Sequence, residues 1–172
     1  MSHTTTVKSV RILDVDAIKK AVKELQQSGV ACELIKNAKP RLYYADQLTR
    51  QKGRSSEIAP YVLRLNGAVY DLCFLESTRE DAKKGELELC FDNYVPSGKV
   101  GVKHVLGQKW DGGTSHWAGN RDDTQETLHA VGKFLQPYAK HALVNAARKA
   151  GHQVAGTSVD NEGRIHLRLK AS

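Results

Sequence analysis

The chain has 172 residues, 40% of them hydrophobic, and carries 26 Lys and Arg against 19 Asp and Glu for a formal charge of +7. That length suits one domain burying roughly 70% of its unfolded surface, with no need of disulfides or metal for stability, and the apolar content excludes wholesale disorder. The positive balance favours encounter with anionic partners such as nucleic acid and says nothing about the fold.

Thr4 to Ile12 alternates and is rich in β-branched residues, which predicts a first strand. Asp14 and Asp16 can cap a helix in which Val15, Ile18, Val22 and Leu25 share one face and which Ser28-Gly29 ends. Val30 to Ile35 reads as a second strand. Residues 36–58 lack periodicity and hold Lys39, Arg41, Arg50, Lys52 and Arg54 around the pair Tyr43-Tyr44, which predicts a basic loop.

Tyr61–Leu65 and Ala68–Leu75 flank Asn66-Gly67, the dipeptide suited to a type I′ hairpin turn. Pairing Leu65 with Ala68, Leu63 with Tyr70 and Tyr61 with Leu72 gives an apolar face. Arg64, Asp71, Val62 and Val69 then fall on the other. Leu87, Leu89 and Phe91 continue the sheet as a third antiparallel strand.

Residues 93–121 hold six glycines and both tryptophans, a second long loop. From Asp122 a helix is expected to run to Ala150, bent at Pro137, with Leu128, Val131, Phe134, Leu135, Tyr138, Leu143 and Ala147 buried. A terminal hairpin closes the chain, Gln153–Val159 with Arg164–Leu169. Ile165, Leu167 and Leu169 face the core there, and Arg164, His166, Arg168 and Lys170 face away.

The order β-α-β, β-β-β, α, β-β predicts a single α+β domain over residues 1–172. Its one mixed, largely antiparallel sheet would be covered by two helical elements and flanked by the two long loops. Cys32, Cys73 and Cys90 have no C-x-x-C spacing and sit among apolar neighbours, so they read as buried thiols of a reducing compartment. The N-terminal residues show no secretory pattern, and no apolar run approaches a membrane span, which predicts a cytoplasmic protein without membrane contact.

Catalytic chemistry finds little support. Ser97-Gly98-Lys99-Val100-Gly101 departs from a phosphate-binding P-loop, with Asn93 where the first glycine belongs and Val100 in place of the magnesium-binding hydroxyl. The same Gly-Lys-Val-Gly is open to reading as a G-x-x-G backbone clamp, and the plainer reading is a flexible turn. His104 and His116, near Asp111, Asp122 and Asp123, suggest a metal-dependent hydrolase as a remote alternative. They lack any H-E-x-x-H or i, i+4 histidine pair, so no metal site or cofactor is assigned.

Binding chemistry has more behind it. Trp110, Trp117 and Tyr94 are candidate aromatic anchors for a protein partner. Lys39, Arg41, Arg50, Lys52 and Arg54, with Tyr43 or Tyr44 stacking on a base, are candidates for nucleic acid, as is the stripe Arg164, His166, Arg168 and Lys170. The plainer reading of the stripe is a strand face kept soluble by charge.

Several stretches taken in order carry a resemblance. They are the start Met1-Ser-His-Thr-Thr-Thr-Val-Lys with its Asp-capped helix, the hairpin Val62-Leu-Arg-Leu-Asn-Gly-Ala-Val-Tyr-Asp-Leu, Tyr138-Ala-Lys-His, Ala150-Gly-His-Gln-Val, and Gly163-Arg-Ile-His-Leu-Arg-Leu. Together they resemble a small family shared by plastid genomes, cyanobacteria and tailed bacteriophages, known from plastids as a hypothetical chloroplast reading frame. The resemblance implies a phage lineage and action in a bacterial host's cytoplasm, and it implies no activity. The expectation is therefore a non-catalytic binding or regulatory protein that engages a host or phage protein, with DNA or RNA binding as the alternative.

Overall fold

The computed structural model describes residues 4–42, 57–109, 125–161 and 163–170. Its elements are β1 (Thr4–Ile12), α1 (Val15–Gln27), β2 (Cys32–Ala38), β3 (Ala59–Leu65), β4 (Leu72–Glu76), β5 (Leu87–Asp92), α2 (Val102–Leu106), α3 (Gln125–His129), α4 (Gly132–Lys149), β6 (Val154–Val159) and β7 (Ile165–Leu169). The fold is α+β. Five strands make one antiparallel sheet in the order β1-β5-β4-β3-β2, so the meander β3-β4-β5 is central, and the two strands that flank α1 in sequence lie at opposite edges. The expected single sheet is in fact two, because β6 and β7 pair only with each other.

Alternation along the central strands sorts their side chains onto two faces. Leu63, Leu65, Leu72, Phe74, Leu89 and Phe91 join Ile18, Val22 and Leu25 of α1 and Phe134, Leu135 and Tyr138 of α4 in the main core. Val62, Cys73, Leu75 and Cys90 point the other way and form a smaller cluster with Leu42 and Ala59. All three cysteines are buried free thiols, and burial pushes the Cys32 thiol up, away from reactivity.

The hairpin register differs from the simple Asn-Gly pairing. Leu63 pairs with Leu72 and Tyr61 with Phe74, a slip of two residues that keeps the apolar residues on the same face. Gly67 alone takes positive φ (85°), and the Ala68 N–H returns to the Leu65 carbonyl, a type II rather than a type I′ turn. Residues 68–71 leave the ladder because distant partners claim their amides, Val69 donating to the Val100 carbonyl and Asp71 to the Arg41 carbonyl. Arg64, Asp71 and Val62 share the second face as expected, whereas Val69 packs against the main core.

Asp14 caps α1 by accepting the Ala17 N–H (3.0 Å). The helix lies antiparallel to α4 and is held at both ends. Asn145 bonds Asp14 (2.9 Å) and Asp16 (3.1 Å), while Lys140 and His141 clasp Glu24. Burial disfavours the Glu24 anion, but the Lys140 hydrogen bond, the Lys140 charge and His141 outweigh it, so its carboxyl is held below the usual range. A depressed carboxylate adds stability that is present above its unfolded pKa and is lost as pH falls through its folded pKa. Glu24→Gln is therefore expected to melt below the parent at pH 7. The gap should close in acid, a comparison that urea midpoints at the two pH values will read.

The second helical element is broken earlier than Pro137 would suggest. Its break falls at Ala130–Val131, and Pro137 lies within α4. The cause is a close approach: a Cβ on Gly132 would stand 2.0 Å from the Gln108 carbonyl oxygen, and Gln108 N–H donates to the His129 carbonyl (2.9 Å). Leu128, Val131, Phe134, Leu135 and Tyr138 are buried as expected, but Leu143 is 42% exposed and Leu169 44%. The glycine-rich stretch also contributes to the core, since Val102 and Leu106 of α2 are fully buried. No helix among the described residues is long and apolar enough to cross a membrane.

Candidate nucleic-acid interface

The ribbon β6-β7 owes its closure to Asp160. Its backbone N–H donates to the Arg164 carbonyl and its carbonyl accepts from Gly163, while its carboxylate accepts the Arg164 N–H (2.9 Å). The pairs Thr157–Leu167, Ser158–His166 and Val159–Ile165 then set a strict two-residue alternation, with an irregularity between Val154 and Gly156. One side carries Val154, Val159, Ile165, Leu167 and Leu169. The other carries Gly156, Ser158, His166 and Arg168, and the sequence period adds Arg164 and Lys170.

The register puts His166 and Arg168 on this second side, and they, Arg164 and Lys170 are all exposed. The four are not equivalent. Arg164 Nε (2.7 Å) and His166 Nε2 (2.9 Å) both meet the Asp160 carboxylate, which positions them. The side chains of Arg168 and Lys170 make no hydrogen bond or ion pair among the described residues. The ribbon is tied to the body through Gln136, whose Nε2 donates to the Gly163 carbonyl (3.3 Å).

The basic loop is used differently. Lys39 pairs with Glu57. Arg41 crosses the second face of the large sheet and donates through Nε (3.0 Å) and Nη2 (2.6 Å) to Asp71, and through Nη2 to the Leu65 carbonyl (2.9 Å). Its guanidinium is thus engaged by the fold although its side chain is partly exposed. Tyr43, Tyr44, Arg50, Lys52 and Arg54 lie outside the described residues, as do Trp110, Trp117 and His116. Tyr94 is described and 39% exposed, in the same loop as the exposed Val100.

His104 completes the first turn of α2, its Nδ1 accepting the Gly101 N–H (3.1 Å). Among the described residues no group of three His, Cys, Asp or Glu is placed to hold a metal. Ser97–Gly101 forms a turn in which Lys99 N–H returns to the Pro96 carbonyl, and the Val100 carbonyl is taken by Val69.

Sequence reasoning missed the buried carboxylates. Asp71, Glu86, Glu88 and Asp92 are each at most 2% exposed. Glu88 accepts from Ser77 Oγ and the Thr78 N–H (both 2.9 Å), Glu86 from the Lys83 N–H (3.1 Å), and Asp92 from the Tyr94 N–H (3.1 Å). These acids tie loops to strand ends, a role no spacing in the chain announces.

A cleft of about 340 Å³ opens between the end of α1 and the start of α4, beside Leu25, Val30 and Pro137. Its polar groups already serve the fold. Glu24 is clasped by Lys140 and His141, Lys133 donates to the Val105 carbonyl, and Gln136 joins Gln108 to Gly163. On the cationic ribbon, Arg168 and Lys170 have no such tie among the described residues. Compared with protein-family models, with curated proteins and with solved structures, the chain matches none.

Proposed function

We propose that the protein is a non-catalytic binding module and that its ribbon engages the phosphate backbone of a nucleic acid. The observation that carries this reading is the exposed face of Arg164, His166, Arg168 and Lys170, on which Arg168 and Lys170 are uncommitted. A two-stranded antiparallel ribbon is also a shape that fits a nucleic-acid groove. The formal charge of +7 adds long-range attraction.

Three or four phosphate contacts would make log affinity fall against log salt with a slope of about −2 to −4. Fluorescence anisotropy with labelled oligonucleotides over a salt series measures this. Lys170→Met is expected to lessen the slope by about 1. Absence of binding at low salt, or binding indifferent to salt, would overturn the reading.

A protein partner is the second reading, supported by the exposure of Tyr94 and Val100 at one loop. Capture of a discrete protein that survives nuclease and high salt and is lost in Tyr94→Ala would favour it. The resemblance to the plastid, cyanobacterial and phage family supports a phage lineage and a site of action in the host's cytoplasm as part of the same proposal.

A further inference from the structure

Within the cationic face of the ribbon lies a groove of about 270 Å³, lined by Gly156, Ser158, His166 and Arg168 with the pair Thr157–Leu167 between them. Its form follows from one residue. Gly156 is the register partner of Arg168, and having no side chain it leaves the strand surface bare opposite the guanidinium. Arg168 lies across that bare surface, since a Cβ at residue 156 would stand 3.5 Å from its Nη2 and 3.8 Å from its Nε. Ser158 and His166, the next pair along, close the groove on the other side.

Every open polar group there suits a tetrahedral oxyanion. A guanidinium presents a planar fork that matches two phosphate oxygens. The Ser158 hydroxyl is a further donor. The nearby anion, Asp160, is already matched by Arg164 and by the imidazole Nε2 of His166, which also fixes the ring as a wall. The ring among the lining residues, His166, is held by Asp160, and no lining side chain is an amide of the kind that reads adenine.

We infer that this groove seats one backbone phosphate of the bound nucleic acid, with Arg168 and Ser158 as its donors, and that binding is indifferent to base sequence. The inference rests on the proposed function and adds to it the place and the chemical group. The test uses the full chain and two labelled oligonucleotides of unrelated sequence. Variants are Arg168→Met, Gly156→Val and Gly156→Ala, with circular dichroism melts to establish folding and inorganic phosphate as a separate ligand followed by NMR at His166.

Gly156→Val adds methyls where the guanidinium and the phosphate lie, so it and Arg168→Met are each expected to weaken both oligonucleotides about tenfold, the loss of a charged hydrogen bond. Gly156→Ala places its Cβ at ordinary contact distance and is expected to stay within about twofold, which separates blockage of the groove from any disturbance of the strand. Folded Gly156→Val with parental affinity overturns the groove yet leaves the cationic face standing if Arg168→Met still weakens binding. A strong preference between the two oligonucleotides overturns the backbone assignment. Phosphate shifts at His166 without oligonucleotide binding would make this a free-anion site and overturn the proposal, and no binding of either probe overturns it together with the proposed function.

Discussion

Asp71→Ala is expected to lower the unfolding free energy by about 3 kcal/mol, and Arg41→Ala by more. Asp71 is fully buried and accepts the Arg41 backbone N–H (2.8 Å) as well as its guanidinium, with Arg64 Nη2 at 3.5 Å. Its own N–H donates back to the Arg41 carbonyl (3.0 Å), so one aspartate fastens residues 39–42 across the second face of the sheet. Removing the carboxylate leaves two guanidinium groups whose side chains are 41% and 34% exposed and that water can partly satisfy. Removing the Arg41 side chain instead leaves a buried carboxylate with the residue-41 backbone N–H and the long Arg64 contact but no close cation, which is the costlier error. Urea midpoints of the two single variants and the double variant give the order and the coupling. If the pair contributes under about 1 kcal/mol, the clamp is not what holds this segment.

Much of this fold was legible because it is locally encoded. Asp14 and the spacing Ile18, Val22 and Leu25 describe α1 fully, and the period-two runs of β3, β5 and β7 mark their faces. What failed to show depends on partners far along the chain. Asn66-Gly67 does turn, but the pairing beyond it is decided by Arg41 and Val100, which withdraw residues 68–71 from the ladder. Val102 and Leu106 belong to a helix of five residues, too short for a periodic signal amid glycines. Leu143 and Leu169 read as core because their faces are apolar, yet each lies on an element whose apolar face is only partly covered.

The candidate site divides along the same line. Alternation alone put Arg164, His166, Arg168 and Lys170 on one face, and the ladder sets His166 and Arg168 there. That Arg41 is tied to an aspartate thirty residues away was beyond any local pattern. So was the groove, because Gly156 meets Arg168 only through a register that includes an irregularity at the start of β6. Basic residues of the early loop and of the ribbon look alike in sequence; their partners distinguish them.

Phe134→Ala is the core substitution with the largest expected effect, about 3–5 kcal/mol, from a total that for a domain of this kind is about 5–15. Phe134 is fully buried near the start of α4. Its ring meets Phe74 of the central strand β4 edge-on (centroids 5.3 Å apart, 68°) and stacks on Tyr138 (5.9 Å, 18°). Tyr138 in turn carries a hydrogen bond from the Leu13 N–H (3.0 Å), so one ring links α4 to the sheet and, through its neighbour, to the entry of α1. Truncation leaves a cavity among groups fixed by these contacts, and the melting temperature should fall on the order of 10 °C. The same helix holds the ribbon through Gln136, and a lone two-stranded ribbon has little stability of its own. Binding by Phe134→Ala should therefore match the parent well below its melt and vanish as the chain unfolds, whereas Arg168→Met should lose affinity with its melt unchanged. Loss of binding by fully folded Phe134→Ala would mean that the contact surface extends from the ribbon onto α4.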